Sequence, residues 1–331
     1  MNKITPLDVN WVGRPKSIAS ALLESGDHRA LVDPGPESTL ATLREKLAAR
    51  GLKISDLNAI LLTHIHLDHA GAAGKLVREN PKLKVYVHKN GARHMADPSK
   101  LLASAGRLWG DQLPILFGET IPVPAENLQV LEGGETLTLG ARKLDVAYTP
   151  GHASHHVTYF DSDEGVAFIG DTGGIRIDNG PYILPATPPP DVDLTLWDQS
   201  FETILSRRPS KLFLTHFAWS SEPAAHFAQF RERLHRWYAT AESALKNAAI
   251  VGEPFQPKSA ASNEAAENIE VIAMQAFIKE SRAEMDATLG PAESEHHAFT
   301  AGLDLSFRGL SRAVRKRNEA AAANPTTPPK F

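Results

Sequence analysis

Leu62-Thr63-His64-Ile65-His66-Leu67-Asp68-His69-Ala70-Gly71 places three imidazoles and one carboxylate within six residues, directly after the apolar run Ala59-Ile60-Leu61-Leu62. Such a run, bounded by polar residues, reads as a buried strand. The ligand-type side chains therefore stand where a strand ends, and a rigid strand end holds them more precisely than a free loop would. Imidazole and carboxylate together suit zinc, iron or manganese. The chain has no cysteine, so any metal must be held by His, Asp or Glu.

The same arrangement recurs downstream. Lys143 to Tyr148 reads as a strand and runs into Thr149-Pro150-Gly151-His152. Val166-Ala167-Phe168-Ile169-Gly170-Asp171 puts a carboxylate after an apolar run, and Leu212-Phe213-Leu214-Thr215-His216 ends in histidine. Four strands thus each end in a residue able to bind metal. Asp33 closes a fifth strand, Arg29 to Val32, before Pro34-Gly35-Pro36. It is read as bracing the metal loop from behind; the plainer reading is a turn-forming Asp. His88 and His94 lack a partner at ligand spacing and read as surface or packing residues.

The order His-x-His-x-Asp-His, Gly-His, Gly-Asp, Thr-His resembles the metallo-β-lactamase superfamily over roughly residues 16 to 245. The resemblance implies a four-layer αββα sandwich with a C-terminal helical extension, whereas periodicity alone indicates only α/β layering. It implies two metal sites: His64, His66 and His152 in one, Asp68, His69 and His216 in the other, with Asp171 bridging. His156 matches a supporting position in glyoxalase II-like members, and His155 is expected to be structural or pocket-lining. Two divalent ions, zinc foremost and iron or manganese as alternatives, would share a water and supply hydroxide at neutral pH. Asp68 would orient that hydroxide or carry a proton to the leaving group. The expected reaction is hydrolysis of a small-molecule ester, thioester or lactone, resembling hydroxyacylglutathione hydrolase or a lactonase. Competing readings are a phosphodiesterase or nuclease of the ribonuclease Z type, a mononuclear non-haem iron persulfide dioxygenase using His64, His152 and Asp171, and a non-catalytic binding protein.

Elements must carry these residues. A hairpin is expected over 16–33, helices over Thr39–Arg50 and Ala70–Asn80, and strands at Leu83–His88, 128–131, 136–139 and 157–160. Residues 97–125, broken by prolines, read as an insertion with a short helix or two: a lid, a pocket wall or a packed surface excursion. The proline-rich stretch 173–193 is expected to border the pocket. There Tyr182 is a candidate hydrogen-bond donor to substrate, or a packing residue. Helices follow at 193–206, 224–249, 263–288 and 305–322. Arg308 and Arg312, in a basic cluster with Arg315, Lys316 and Arg317, are candidates for holding an anionic substrate; a solvated helix face is the plainer reading. Expected units are a catalytic domain over 1–250, a helical extension over 251–323 that includes a linker at 252–262, and a frayed tail over 324–331.

The 331 residues carry 42% hydrophobic and 22% charged side chains, the composition of an ordinary globular protein. A formal net charge of -4 argues against binding nucleic acid through bulk positive charge. The N-terminal residues lack the apolar core of a signal peptide and no run approaches a membrane span. A cytoplasmic location, a small-molecule partner and no membrane partner are therefore expected, with homo-oligomerisation left open.

Overall fold

The structure, a computed structural model, describes residues 2–251 and 261–323. Two six-stranded mixed sheets form its centre. The first runs in chain order through β1 (Asn2–Asp8), β2 (Ala19–Ser25), β3 (His28–Val32), β4 (Ala59–Leu61), β5 (Lys84–His88) and β6 (Leu128–Leu131). β1, β2 and β3 pair antiparallel, whereas β3 to β6 pair parallel. The second sheet holds β7 (Thr136–Leu139), β8 (Arg142–Tyr148), β9 (Val157–Asp161), β10 (Val166–Phe168), β11 (Lys211–Leu214) and β12 (Ala218–Ser220). Only β10 and β11 pair parallel there.

Period-two alternation explains how the sheets stack. Along β2, Ala19, Ala21 and Leu23 face a core shared with Leu144, Val146, Tyr159 and Phe168 of the second sheet. Leu22, one residue out of phase, faces the opposite core with Leu31, Ile60 and Val85. That outer core is covered by α1 (Leu40–Ala48) and, after the short α2 (Leu67–Ala70), by α3 (Ala73–Glu79). α4 (Lys89–Ala96), α5 (Ser99–Trp109) and α6 (Leu113–Phe117) continue this layer. On the far side, α7 (Leu194–Ser206) and α8 (Pro223–Val251) cover the second sheet with Trp197, Phe201, Phe227 and Phe230. The result is the expected αββα sandwich.

The C-terminal chain adds α9 (Ala261–Leu289), α10 (Pro291–Ala301) and α11 (Leu303–Ala323). Residues 252–260 of the expected linker and the tail over 324–331 lie outside the described residues. α11 packs closely on the proline-rich stretch: a Cβ on Gly309 would lie 1.9 Å from the Thr187 carbonyl oxygen. No helix among the described residues is long and apolar enough to cross a membrane.

Several elements depart from the sequence reading. β1 carries Pro6 and goes unnoticed in the sequence; as an edge strand it tolerates the missing N–H. Gly290-Pro291, a helix-breaking pair, does end α9 at Leu289; the unexpected feature is that Pro291 then opens a further helix, α10, where a missing N–H costs nothing. The helix expected over Ala70–Asn80 is present as the shorter α3, Ala73–Glu79, and α2, α4, α10 and β12 are additional.

Candidate metal centre

The strand ends converge at one edge of the sandwich. His64 and His66 lie in the loop leaving β4, and Asp68 and His69 lie on α2. His152 comes from the β8–β9 connection, Asp171 from the turn after β10, and His216 from the residues after β11. The turn at Asp171 needs Gly170: its φ is +43°, and a Cβ there would meet Thr63 Oγ1 at 2.4 Å.

Two donor groups result. His64, His66, His152 and Asp171 offer ligand atoms that all lie within 4.8 Å of one another, and Asp68, His69 and His216 do the same. Asp171 stands between them: its Oδ1 is 3.1 Å from His69 Nε2, and its Oδ2 is 3.4 Å from His152 Nε2. In the first group His66 Nδ1 lies 3.0 Å from His64 Nε2 and 2.9 Å from His152 Nε2. In the second, His216 Nε2 and His69 Nε2 are 3.2 Å apart.

The opposite nitrogens of these rings show that this convergence fits a cation. His152 Nδ1 donates to the Ala186 carbonyl at 2.8 Å, and His216 Nδ1 to the Ser17 carbonyl at 2.6 Å. His69 Nδ1 donates to Asp33 Oδ2 at 2.9 Å, and His64 Nδ1 to Thr63 Oγ1 at 3.1 Å. A neutral imidazole that donates outward presents a lone pair inward. Several lone pairs facing one another within about 3 Å repel unless a cation lies among them. Asp171 Oδ1, buried beside His69 Nε2 at 3.1 Å and His216 Nε2 at 3.5 Å, completes the set.

Asp33 is the brace. It is fully buried, and its carboxylate accepts from Thr63 N at 2.8 Å, Thr63 Oγ1 at 2.7 Å, Thr215 Oγ1 at 2.8 Å and His69 Nδ1. One side chain thereby ties together the ends of β3, β4 and β11. Thr63 and Thr215 each precede a ligand-type histidine. The repeated Thr-His pair is their signal in the sequence, although the pattern by itself marks the histidines and not the supporting threonines. His156 is also fully buried; its Nδ1 lies 3.0 Å from Thr149 Oγ1, and its ring stacks on His64 with centroids 5.1 Å apart.

The electrostatics divide between the groups. Burial, reinforced by His69, His66 and His152, holds His64 well below the usual imidazole range. Burial and His152 push His66 down to about 4. For His69 burial acts in the same sense, but Asp171, Asp68 and Asp33 together outweigh it and raise the ring well above the ordinary value. Burial would raise Asp68, yet His69 and His216 bring it down to about 2. Proton-bearing rings against ionised carboxylates are sites where a metal cation competes with protons.

His66, Asp68, Asp171 and His216 form the floor of a cavity of about 560 Å³, and His64, His69 and His152 lie buried outside its lining. His94 and His155 line it too, whereas His88 is buried and stacks on Tyr148 at 4.4 Å. Pro188, Pro189 and Pro190 border it, as expected of the proline-rich stretch. Tyr182 does not reach it. Its side chain is fully buried, lies under the Arg233 guanidinium at 3.8 Å and packs with the C-terminal helices, so the donor role read from sequence is corrected to packing. Arg308 and Arg312 are exposed on α11 and absent from the lining; Arg312 Nε donates to the Pro190 carbonyl at 3.2 Å. Arg315 pairs with Glu270 at 2.9 Å, so the cluster behaves as a solvated face. Thr300, Ala301 and Leu305 are what the C-terminal helices contribute to the cavity.

Comparison with known proteins places the chain among related folds. Metallo-beta-lactamase fold-containing protein ST1585 from Sulfurisphaera tokodaii is 30% identical over 166 residues, 49% of this chain and 61% of its own length. A hydroxyacylglutathione hydrolase from Aeromonas hydrophila is 30% identical over 151 residues, 46% of this chain and 44% of its own. The matched stretch thus spans less than two thirds of either relative. The crystal structure of the metallo-beta-lactamase family protein TTHA1429 from Thermus thermophilus superposes with a TM-score of 0.63 at 20% identity, covering 96% of this chain and 94% of that one, a likeness of fold. The profile of the metallo-beta-lactamase superfamily matches residues 13–216. With the sandwich and the His/Asp cluster at its edge, that match establishes that the chain belongs to the metallo-beta-lactamase superfamily.

Proposed function

We propose that the protein is a dinuclear metal-dependent hydrolase of a small-molecule ester, thioester or lactone. The observation that carries this reading is the pair of donor groups sharing Asp171 at the floor of one cavity. His64, His66 and His152 would hold one divalent ion, Asp68, His69 and His216 the other, and Asp171 both. Zinc suits a donor set of neutral imidazoles and carboxylates without thiolates, and iron or manganese would be accepted by the same atoms. When bound, such ions supply a nucleophilic hydroxide at neutral pH and polarise the substrate carbonyl.

The chain's own residues do the rest. Asp33, Thr63 and Thr215 fix the imidazoles, so little reorganisation is needed as the reaction proceeds. Of the two carboxylates of the centre that line the cavity, Asp68 is the more exposed, its side chain 20% open against 6% for Asp171, with Oδ2 3.3 Å from His216 Nε2. It is placed to take a proton from the attacking water and return it to the leaving group. The cavity walls would hold the acyl part. Hydroxyacylglutathione hydrolases among the relatives support a thioester or similar acyl substrate.

The complete second group, Asp68, His69 and His216, favours two ions over the single iron of an oxygenase. The test is hydrolysis of a panel of thioesters, lactones and phosphodiesters by metal-loaded protein beside Asp68→Asn. Turnover of acyl substrates that falls on the order of 10²-fold or more in the variant is expected. Oxygen consumption without hydrolysis, or phosphodiester cleavage alone, would overturn the assignment.

A further inference from the structure

The cavity above the metal centre has two chemically distinct parts. Its wall is apolar: Trp11, Leu101, Leu108, Trp109, Phe117 and Leu305 all line it. Aromatic contacts run through that wall, from Trp109 to Phe117 at 5.5 Å, Phe117 to Trp11 at 5.8 Å, and Trp11 to Phe299 of α10 at 5.4 Å. The wall therefore joins α5, α6 and the C-terminal helices in one surface. Leu101, Leu108 and Trp109 are only half-buried. Apolar side chains left open to a concave space gain when a ligand's apolar part covers them.

The mouth of the cavity is basic. Lys89, Arg93 and Lys100 line it from α4 and α5. Lys89 is compensated by Glu132 at 3.2 Å. Arg93 Nε donates to His94 Nε2 at 3.1 Å, which leaves the charge of the guanidinium without a carboxylate. Neither Arg93 nor Lys100 forms an ion pair among the described residues. Asp191, an acidic residue of the same lining, accepts from the Ser154 hydroxyl and backbone N–H and keeps its charge, so it offsets one cation and leaves the other in excess. Lys100 stands in the first turn of α5, where the helix dipole disfavours a cation. The helix end itself is already capped by the Asp97 carboxylate, which accepts from Ser99 N at 3.1 Å, so an incoming anion would be attracted by the Lys100 ammonium and the Arg93 guanidinium.

We propose that the cavity selects an amphipathic substrate, an acyl ester or thioester whose apolar chain lies along the Leu108–Trp109 wall while an anionic group on the same molecule sits on Arg93 and Lys100. This deepens the hydrolase reading and rests on it for the word substrate; the two-part recognition itself is a matter of binding. It also moves anion recognition from Arg308 and Arg312 on α11 to α4 and α5.

The test measures binding alone, by calorimetry on the metal-loaded protein, with octane-1-sulfonate as the anionic amphiphile and octan-1-ol as its neutral counterpart. Wild type should bind the sulfonate at least tenfold more tightly than the alcohol. An Arg93→Ala/Lys100→Ala double variant should bring that ratio near one with alcohol binding unchanged. Leu108→Asp should weaken both ligands. Arg93 and Lys100 are exposed, and a thermal melt matching wild type confirms that the double variant folds. A charge-preserving Arg93→Lys/Lys100→Arg variant should keep most of the preference. Equal affinities in wild type, no binding of either ligand, or a preference that survives in the double variant would overturn the proposal. Because no hydrolysis is read, failure of the hydrolase assignment would appear separately, in the turnover panel.

Discussion

At and beneath the cavity floor, His216, His64, His69 and His152 are each gripped at the far nitrogen by a fixed oxygen. At the wall, Leu108 and Trp109 are held on one side by packing and open on the other. The floor depends on hydrogen bonds with directions; the wall depends on area and shape. A substitution on the floor should therefore act steeply and through the metal, whereas one on the wall should act gradually and through substrate binding.

Four expectations can break that contrast. Asp171→Ala removes the carboxylate common to both donor groups. Turnover should fall on the order of 10³-fold and bound metal should drop with it, both read on protein whose circular dichroism matches wild type. Retained metal and activity would dissolve the distinction between floor and wall.

A scaffold residue outside the centre provides the next test. His226 is buried, its Nε2 donates to the Gly173 carbonyl at 2.8 Å, and its Nδ1 has no partner. Burial pushes its pKa down to about 4. The unfolded chain takes up this proton near pH 6.5, the folded chain only near pH 4. The stabilisation is therefore whole above pH 6.5 and declines as the pH falls between these values. The loss should total about 3 kcal/mol, measured by urea denaturation at several pH values. His226→Gln should flatten that part of the profile; an unchanged slope in the variant would show that other groups carry it.

Asp33→Asn keeps the shape of the brace but removes its charge. Metal affinity should weaken by about 10- to 100-fold, measured by competition with a chromophoric chelator. Unaltered affinity would mean that Asp33 serves the turn and not the imidazoles. The smallest effect is expected at the wall: Trp109→Ala should raise KM severalfold with metal content unchanged and kcat little altered, the signature of lost uniform binding.

The same contrast explains what the sequence disclosed. His64, His66, Asp68 and His69 lie within six residues, and His152, Asp171 and His216 each follow an apolar strand, so local pattern alone marks them. The sandwich follows from that order through its resemblance to the superfamily, more than from periodicity. The wall has no such mark. Arg93 and Lys100 look like any charged helix residues, and Trp11 like any core aromatic, until α5, α6 and α10 fold around one space. Tyr182 shows the reverse error: an aromatic hydroxyl in a proline-rich stretch suggests a pocket, yet α8 and the C-terminal helices bury it. Pro291 is ambiguous for a local reason, since the same residue ends one helix pattern and begins another.

The central claim is that the two donor groups hold two ions through one shared carboxylate. Elemental analysis of purified, metal-saturated wild-type protein tests it most directly. The account predicts two divalent ions per chain; a single ion per chain at saturation, iron in particular, would contradict it.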